Sequence, residues 1–252
     1  MLPNAAKKPI GNPFIQFDAM ESTNSYAIDM LQANLAAHGT AYFTYNQTGG
    51  KGQRGKQWIT EPGSNIILSV VIDCSPLAIQ HQFRLSVAVA LACYDFFSDF
   101  AGDETSIKWP NDIYWRDRKA AGILIENVIR GNNWAWAILG IGMNINQTTF
   151  SGEAKNPVSL KQITGQHFDV VAMAKALCDY LEKRYQQMIT DDFNNLLAEY
   201  NLHLYKAKQA VSLKKNSAIF KCVIDSVNEH GQLLVTGAAQ NSFEFGEVEW
   251  VV

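Results

Sequence analysis

Apolar positions along the chain change their period several times, and each change marks an element. Residues 21–37 (ESTNSYAIDMLQANLAA) bring Ala27, Leu31 and Leu35 round at helical spacing behind a Ser22 or Thr23 cap, which predicts a helix. TAYFTYNQ (40–47) reads as a strand ending at a glycine-rich loop, and SNIILSVVID (64–73) as a second strand opened by the Pro62–Gly63 turn. Residues 79–100 predict a long helix, with Phe83, Val87, Leu91, Tyr94 and Phe97 on one stripe. Short strands follow around SIKWPNDIYW, AAGILIENVIR and WAWAILGIGMNIN, then amphipathic helices over 168–188 and 190–204.

From about Tyr205 the texture alters. QAVSLKK, AIFKCVIDSVN, GQLLVTG and SFEFGEVEWVV are short alternating strands broken at His230–Gly231, Gly237 and Gly246. They predict a small all-β unit appended to an α+β domain. Such a unit is near the lower size limit for independent folding, so it is expected to pack on the larger domain. The chain has 252 residues and 47% apolar content, enough for one catalytic domain with a satellite. No internal repeat is visible.

Charge and cysteine usage narrow the function. A net charge of −3 does not suggest a general nucleic-acid binder. No apolar run approaches the roughly 18 residues of a membrane span. The opening MLPNAAKKPIGNPF lacks the apolar segment of a secretory signal, and Cys74, Cys93, Cys178 and Cys222 are widely spaced. Reduced thiols in a cytoplasmic protein are expected, with neither a disulfide frame nor a His–Cys metal cage.

The candidate chemistry begins at GGKGQRGKQW (49–58). Gly50, Gly55 and Lys56 match a P-loop except that Gln57 stands where Ser or Thr is needed, and Gly50, Gly52 and Gly55 match the dinucleotide fingerprint. Both motifs need a helix directly after the loop, and Pro62 and Gly63 forbid one of useful length. The segment is therefore strand–loop–strand. Its glycines and its cations Lys51, Arg54 and Lys56 fit an anion-binding flap; they fit a mobile, solvated hairpin tip equally. Lys108, Asn111, Asp112 and Lys119 form a second group, set among strands that otherwise read as core, with a polar RDRK turn placing Lys119 at a strand start. Gly140 and Gly142 in GIGMNIN suggest close approach to the backbone, with Asn144 and Asn146 at the strand end. Each group alone also fits an ordinary surface hairpin or a bulged strand.

Taken together, STN (22–24), QTGGKGQRGKQW (47–58), KWPND (108–112), RKAAGILIE (118–126), GIGMNIN (140–146) and NPVSL (156–160) resemble the motifs of the biotin–protein ligases in order and spacing. The resemblance covers nearly the whole chain. It implies an α+β catalytic domain of the class II synthetase-like, biotin–lipoate ligase type, with a mixed sheet packed by helices, over 1–205. An SH3-like β-barrel would occupy 206–252. It implies the activity of a biotin–[acetyl-CoA-carboxylase] ligase: ATP and biotin form biotinyl-5′-adenylate with Mg²⁺, and biotin passes to a lysine of the biotin carboxyl carrier protein. Homodimers are common among such proteins, so self-association is one expectation. Some members carry an N-terminal DNA-binding domain; with about twenty residues before STN, no specific DNA binding is expected.

The same resemblance assigns roles. Lys119, Asp112 and Arg54 would be catalytic, with Lys119 holding the biotin carboxylate near the α-phosphate and Asp112 positioning Mg²⁺. Ser22, Thr23, Asn24, Gln47, Lys51, Gly52, Gln53, Lys119 and Gly122 would bind biotin, whose ureido ring must not be left unpaired. Lys51, Arg54, Lys56, Trp58, Lys108, Asn111 and Asn144 would serve ATP, Trp58 either as an aromatic wall or as simple packing. Gln53 departs from the arginine common at its position, keeping hydrogen bonding and losing charge; on an extended loop Arg54 would point the other way. Two rivals are a lipoate- or octanoate-transferring ligase of the same fold and a non-catalytic biotin-binding module. Lys119, Asp112 and Asn144 count against the second, and KWPND with the basic loop counts against the first.

Overall fold

A computed structural model describes residues 8–75, 77–131, 133–150, 156–190 and 193–251. Residues 1–7, half of the stretch read for a signal, lie outside it, as do Asp191, Asp192 and Val252.

Seven strands make the main sheet in the order β1-β2-β3-β7-β6-β5-β4. They are β1 (Phe14–Phe17), β2 (Ala41–Thr44), β3 (Asn65–Asp73), β4 (Thr105–Lys108), β5 (Asp112–Trp115), β6 (Arg118–Arg130) and β7 (Asn133–Asn144). β1 and β2 are parallel and every other pair is antiparallel, so the sheet is mixed. β1 was not foreseen: it lies at an edge, and four residues carry too little alternation to be read.

The two faces of the sheet differ because of what alternates along the strands. On β3 and β7, Leu68, Val70, Leu139, Ile141 and Met143 face one way, into the main core with α2 (Gln82–Ala101) and α4 (Val170–Thr190), between which the chain makes the short α3 (Leu160–Thr164). Val71 and Ile138 face the other way and pack with Ala27 and Leu31 of α1 (Thr23–Gln32). Between Ile138 and the strand end, that second face carries only Gly140 and Gly142. A strip of bare backbone is left beside α1.

The first helix is shorter than the pattern predicts. Ser22 caps it, accepting from Ser25 N, but it ends at Gln32, and Asn34 turns left-handed at φ 58°. Leu35 is therefore off the apolar stripe and 72% exposed. The predicted α2 stripe holds: Val87, Leu91 and Phe97 are buried, and Phe83 and Tyr94 are half-buried. Buried Arg184 of α4 ties the helical layer together. It donates to Asp95 of α2 at 2.6 and 2.9 Å and to Glu199 of α5 (Phe193–Leu202) at 2.7 and 2.5 Å. No helix among the described residues is long and apolar enough to cross a membrane.

The C-terminal strands form a separate five-stranded sheet ordered β11-β10-β9-β8-β12. They are β8 (Ala210–Lys215), β9 (Ala218–Val227), β10 (Leu233–Thr236), β11 (Ser242–Phe243) and β12 (Glu249–Val251). The sheet rests on the larger unit through directed bonds. Trp109 Nε1 donates to Gly231 O at 2.9 Å, and Asn201 exchanges two hydrogen bonds with the Val227 backbone.

Candidate active site

A cavity opens on the glycine face of the main sheet, between the N-terminus of α1 and the hairpin at 49–58. Ile67 and Leu124, on that face, contribute its apolar floor, reached also by the backbone at Leu68, Ile123 and Ile141, whose side chains turn into the main core. Ser22, Thr23, Asn24, Gln47, Lys51, Gly52, Gln53, Trp58, Asn111, Lys119 and Gly122 border it.

Two neighbouring levels of the sheet set its polarity. At one level Gly122 faces Gly142 across β6 and β7; two residues along β7, at the next, Gly140 faces Leu124. Same-face neighbours on a strand are about 7 Å apart. Asn24 lies against Gly140, where an added Cβ would stand 2.5 Å from Asn24 Oδ1. Trp58 lies against Gly142, where a Cβ would stand 2.3 Å from the indole Cε2. The Asn24 level is deep: Asn24 is 4% exposed and Ser69 of β3 is 0% exposed. The Trp58 level is the outer one. Lys119 belongs to it, with Nζ 5.7 Å from the Trp58 ring centroid and its side chain 29% exposed.

The deep end is bordered by uncharged polar side chains and is densely bonded. Thr23 N and Oγ1 both donate to Gln47 Oε1, at 2.9 and 3.2 Å. Ser69 Oγ lies 2.7 Å from Thr23 Oγ1 and 2.5 Å from Asn24 Oδ1. Asn24 Nδ2 donates to Glu126 Oε2 at 2.7 Å. Neither Ser69 nor Glu126 was singled out in the sequence reading. The available signal was a lone hydroxyl in the otherwise apolar ILSVV run.

The outer end is cationic. Lys119 Nζ donates to Asp112 Oδ1 at 2.6 Å, which bends the ammonium back toward β5. Its backbone is clamped at both its N–H and its C=O. Lys119 N donates to Asn156 O and Val158 N donates to Lys119 O, so the NPVSL segment lies alongside it as a short parallel bridge. Asn144 completes the clamp, donating from Nδ2 to Lys119 O and Val158 O. Asn111 Nδ2 donates to Ile123 O, which keeps Asn111 on the cavity rim. The Trp58 indole Nε1 is buried without a hydrogen-bond partner in the protein.

The glycine loop forms a tight hairpin. Lys51 bridges Gln57, Trp58 N donates to Gly50 O, and residues 53–55 make a single 3₁₀ turn. No helix follows it, as Pro62–Gly63 required. Its cations diverge. Lys51 Nζ donates to Ser25 Oγ at 2.8 Å and stays at the cavity. Arg54 does not line the cavity. Its backbone is left-handed rather than extended (φ 56°), and its guanidinium lies 3.5 Å from where Gly246 of the C-terminal unit would carry a Cβ. Lys56 is exposed and borders no part of the cavity. Gln53 does border it, with Nε2 3.4 Å from Ile123 O.

Lys108 and Asn144 also lie off the cavity. Lys108 is 6% exposed and sits in an aromatic cage. Its Nζ donates to Tyr114 OH at 2.9 Å and stands 4.3, 5.6 and 5.3 Å from the ring centroids of Tyr114, Tyr205 and Trp250. Trp250 belongs to β12, so this lysine is a contact between the two sheets.

Residues 16–144 match the biotin/lipoate A/B protein ligase family. The chain is similar to the bifunctional ligase/repressor BirA of Bacillus subtilis, 30% identical over 73% of this chain and 57% of the relative. It spans little more than half the length of that relative. It is also similar to the biotin–[acetyl-CoA-carboxylase] ligase of Paracoccus denitrificans, 26% identical over 87% of this chain and 92% of the relative. Among solved structures, the biotin protein ligase of Aquifex aeolicus in complex with biotin and ATP superposes with a TM-score of 0.78. The match covers 93% of this chain and 97% of that one at 21% identity, a likeness of fold.

Proposed function

Because the chain belongs to the biotin/lipoate A/B protein ligase family, we propose that it couples biotin to AMP at the expense of ATP and passes the biotinyl group to a lysine of a carrier protein. The observation that carries this reading is the polarity of the cavity. A neutral, hydrogen-bonding end around Thr23, Asn24 and Gln47 suits a ureido ring, and an ammonium at Lys119, on the outer level, suits a carboxylate. The apolar floor between them suits the valerate chain.

In the first step a biotin carboxylate oxygen attacks the α-phosphorus, and the bond to pyrophosphate breaks. Both reactants are anions, so the fixed Lys119 charge lowers their repulsion and stabilises the charge that builds in the transition state. Lys51 adds a second cation at the rim. The partnerless Trp58 Nε1 is a donor free to meet an acceptor on a bound substrate, since a buried donor left unpaired is costly. Trp58 and the hairpin would shield the mixed anhydride from water. In the second step a lysine amine attacks the acyl carbon, AMP leaves, and the nitrogen loses a proton.

Magnesium fits the residues present. Asp112 does not itself line the cavity but stands behind Lys119, to which its Oδ1 is bonded, and offers a hard carboxylate there. No cluster of three or more His, Cys, Asp or Glu stands ready to cage a metal among the described residues. That suits an ion taking most of its ligands from phosphate and water. When bound it neutralises polyphosphate charge. We further infer that the carrier is the biotin carboxyl carrier protein of acetyl-CoA carboxylase, that the enzyme works in the cytoplasm, and that the units divide near 205.

The test is direct. Purified protein given ATP, Mg²⁺ and biotin should release pyrophosphate, and adding a biotin carrier domain should raise that domain's mass by one biotinyl group. Pyrophosphate release with lipoate and none with biotin would transfer the reading to the lipoate branch. Binding of biotin with no pyrophosphate released would leave only a binding module.

A further inference from the structure

We propose that Glu126 is a positioning residue. It sets the donor–acceptor order of the deep end of the cavity, and so selects an acid with a hydrogen-bonding head over one with an apolar head. The proposal rests on the ligase reading above and deepens it.

Glu126 sits on the same face of β6 as Gly122 and Leu124 and outside the ring of residues bordering the cavity. It acts through Asn24. The Asn24 side chain lies across Gly140, with Ser69 of β3 at its oxygen and Glu126 of β6 at its nitrogen. A carboxylate only accepts, so it can pair with the amide nitrogen and not with the amide oxygen. Glu126 therefore fixes which way the Asn24 amide faces, and Asn24 Oδ1 must point at Ser69.

The consequence runs inward. Ser69 has one hydroxyl proton and two oxygens within reach, Asn24 Oδ1 at 2.5 Å and Thr23 Oγ1 at 2.7 Å. The amide oxygen can only accept, so the Ser69 proton goes to it and the Ser69 oxygen faces Thr23 as an acceptor. The Thr23 hydroxyl proton then serves Ser69 or Gln47, and Gln47 Oε1 is already held by Thr23 N. Gln47 is left to present its amide N–H groups. With Asn24 reversed, its amide nitrogen would donate to Ser69 Oγ, the Ser69 proton would turn to Thr23 Oγ1, and the Ser69–Thr23 bond would run the opposite way. A buried array with a fixed order discriminates strongly against a partner that cannot answer it.

The test compares wild type, E126Q and E126L by steady-state pyrophosphate release, with biotin and with lipoate, whose distal ring offers sulfur in place of N–H and C=O. Glutamine can still accept from Asn24, although it can also donate to it, so E126Q should lose less than E126L and stay within about threefold of wild type. E126L should raise KM for biotin about tenfold with kcat within about threefold, and should lower the biotin-to-lipoate preference about tenfold. A merely structural role would not split KM from kcat or be rescued by E126Q. An E126L enzyme with wild-type KM and preference overturns the proposal, and so does an E126Q enzyme that falls as far as E126L. Should E126L fail to fold, S69A breaks the same chain at its centre and is read by the same two ratios. Failure of the ligase reading itself is distinguishable, because wild type would then release no pyrophosphate with biotin.

Discussion

Replacing Gly142 with alanine sets a methyl group against the face of Trp58. The added Cβ would lie 2.3 Å from Cε2, 2.5 Å from Nε1 and 2.8 Å from Cζ2. Carbon atoms rest at about 3.5–4.0 Å, so against the 2.3 Å separation one partner must retreat by roughly 1.2–1.7 Å. β7 cannot yield, since it is laddered to β3 on one side and β6 on the other along its length. Trp58 can, because the hairpin around it is exposed at Arg54, Gly55, Lys56 and Gln57. Overpacking a rigid core costs about 1–3 kcal/mol; with the hairpin free to move, the cost to folding should stay below about 1 kcal/mol. In a chain of this size that is a Tm shift of about 2–4 °C at most. Catalysis should suffer more, since a displacement near 1 Å at a reacting site can cost about 10²-fold. We therefore predict that Gly142→Ala lowers kcat/KM for biotin adenylation between about 10- and 100-fold while melting almost normally. Trp58→Ala should make the alanine at 142 nearly harmless, so the two changes should be far from additive. Wild-type kcat/KM in Gly142→Ala, or strictly additive losses in the double variant, would refute the placement of Trp58 as the roof of the cavity.

Two further outcomes follow from the packing. Lys108→Ala empties the cage formed by Tyr114, Tyr205 and Trp250 and should loosen the C-terminal sheet, raising amide exchange over 210–251 about tenfold while α2 and α4 stay protected; unchanged exchange there would return Lys108 to the phosphate role inferred from its motif. Burial holds the His203 imidazole below its ordinary value, against the opposing pull of Glu199 and Asp95. The native state thus disfavours the protonated form. Stability should fall as pH drops below about 6.5, where the unfolded chain takes up that proton first, and His203→Gln should flatten that part of a Tm–pH curve. An unaltered slope between pH 7.5 and 5.5 would contradict it.

What the sequence disclosed depended on whether the signal was local. Gly140 and Gly142 inside the GIGMNIN strand pattern pointed to close approach to the backbone, and Asn24 and Trp58 make that approach. Lys119 was legible from the RDRK turn, and the absence of a helix after the glycine loop from Pro62–Gly63. Ser69 and Glu126 were not legible, because their importance comes from Asn24 reaching across strands that are distant from it in sequence. Arg54 looked like its neighbours Lys51 and Lys56, yet a left-handed turn at that one residue sends its guanidinium to Gly246. Lys108 read as part of an active-site motif; the aromatic rings that enclose it come from 114, 205 and 250, which no local pattern connects.

In the proposed mechanism the Lys119 ammonium is the charge that brings two anions together. Single-turnover pyrophosphate release from ATP, Mg²⁺ and biotin, compared between wild type and Lys119→Met, tests it most directly. We predict a loss of at least about 10²-fold in the variant, with its thermal melt unchanged. Release at a near-native rate would remove Lys119 from the chemistry and contradict the proposed mechanism.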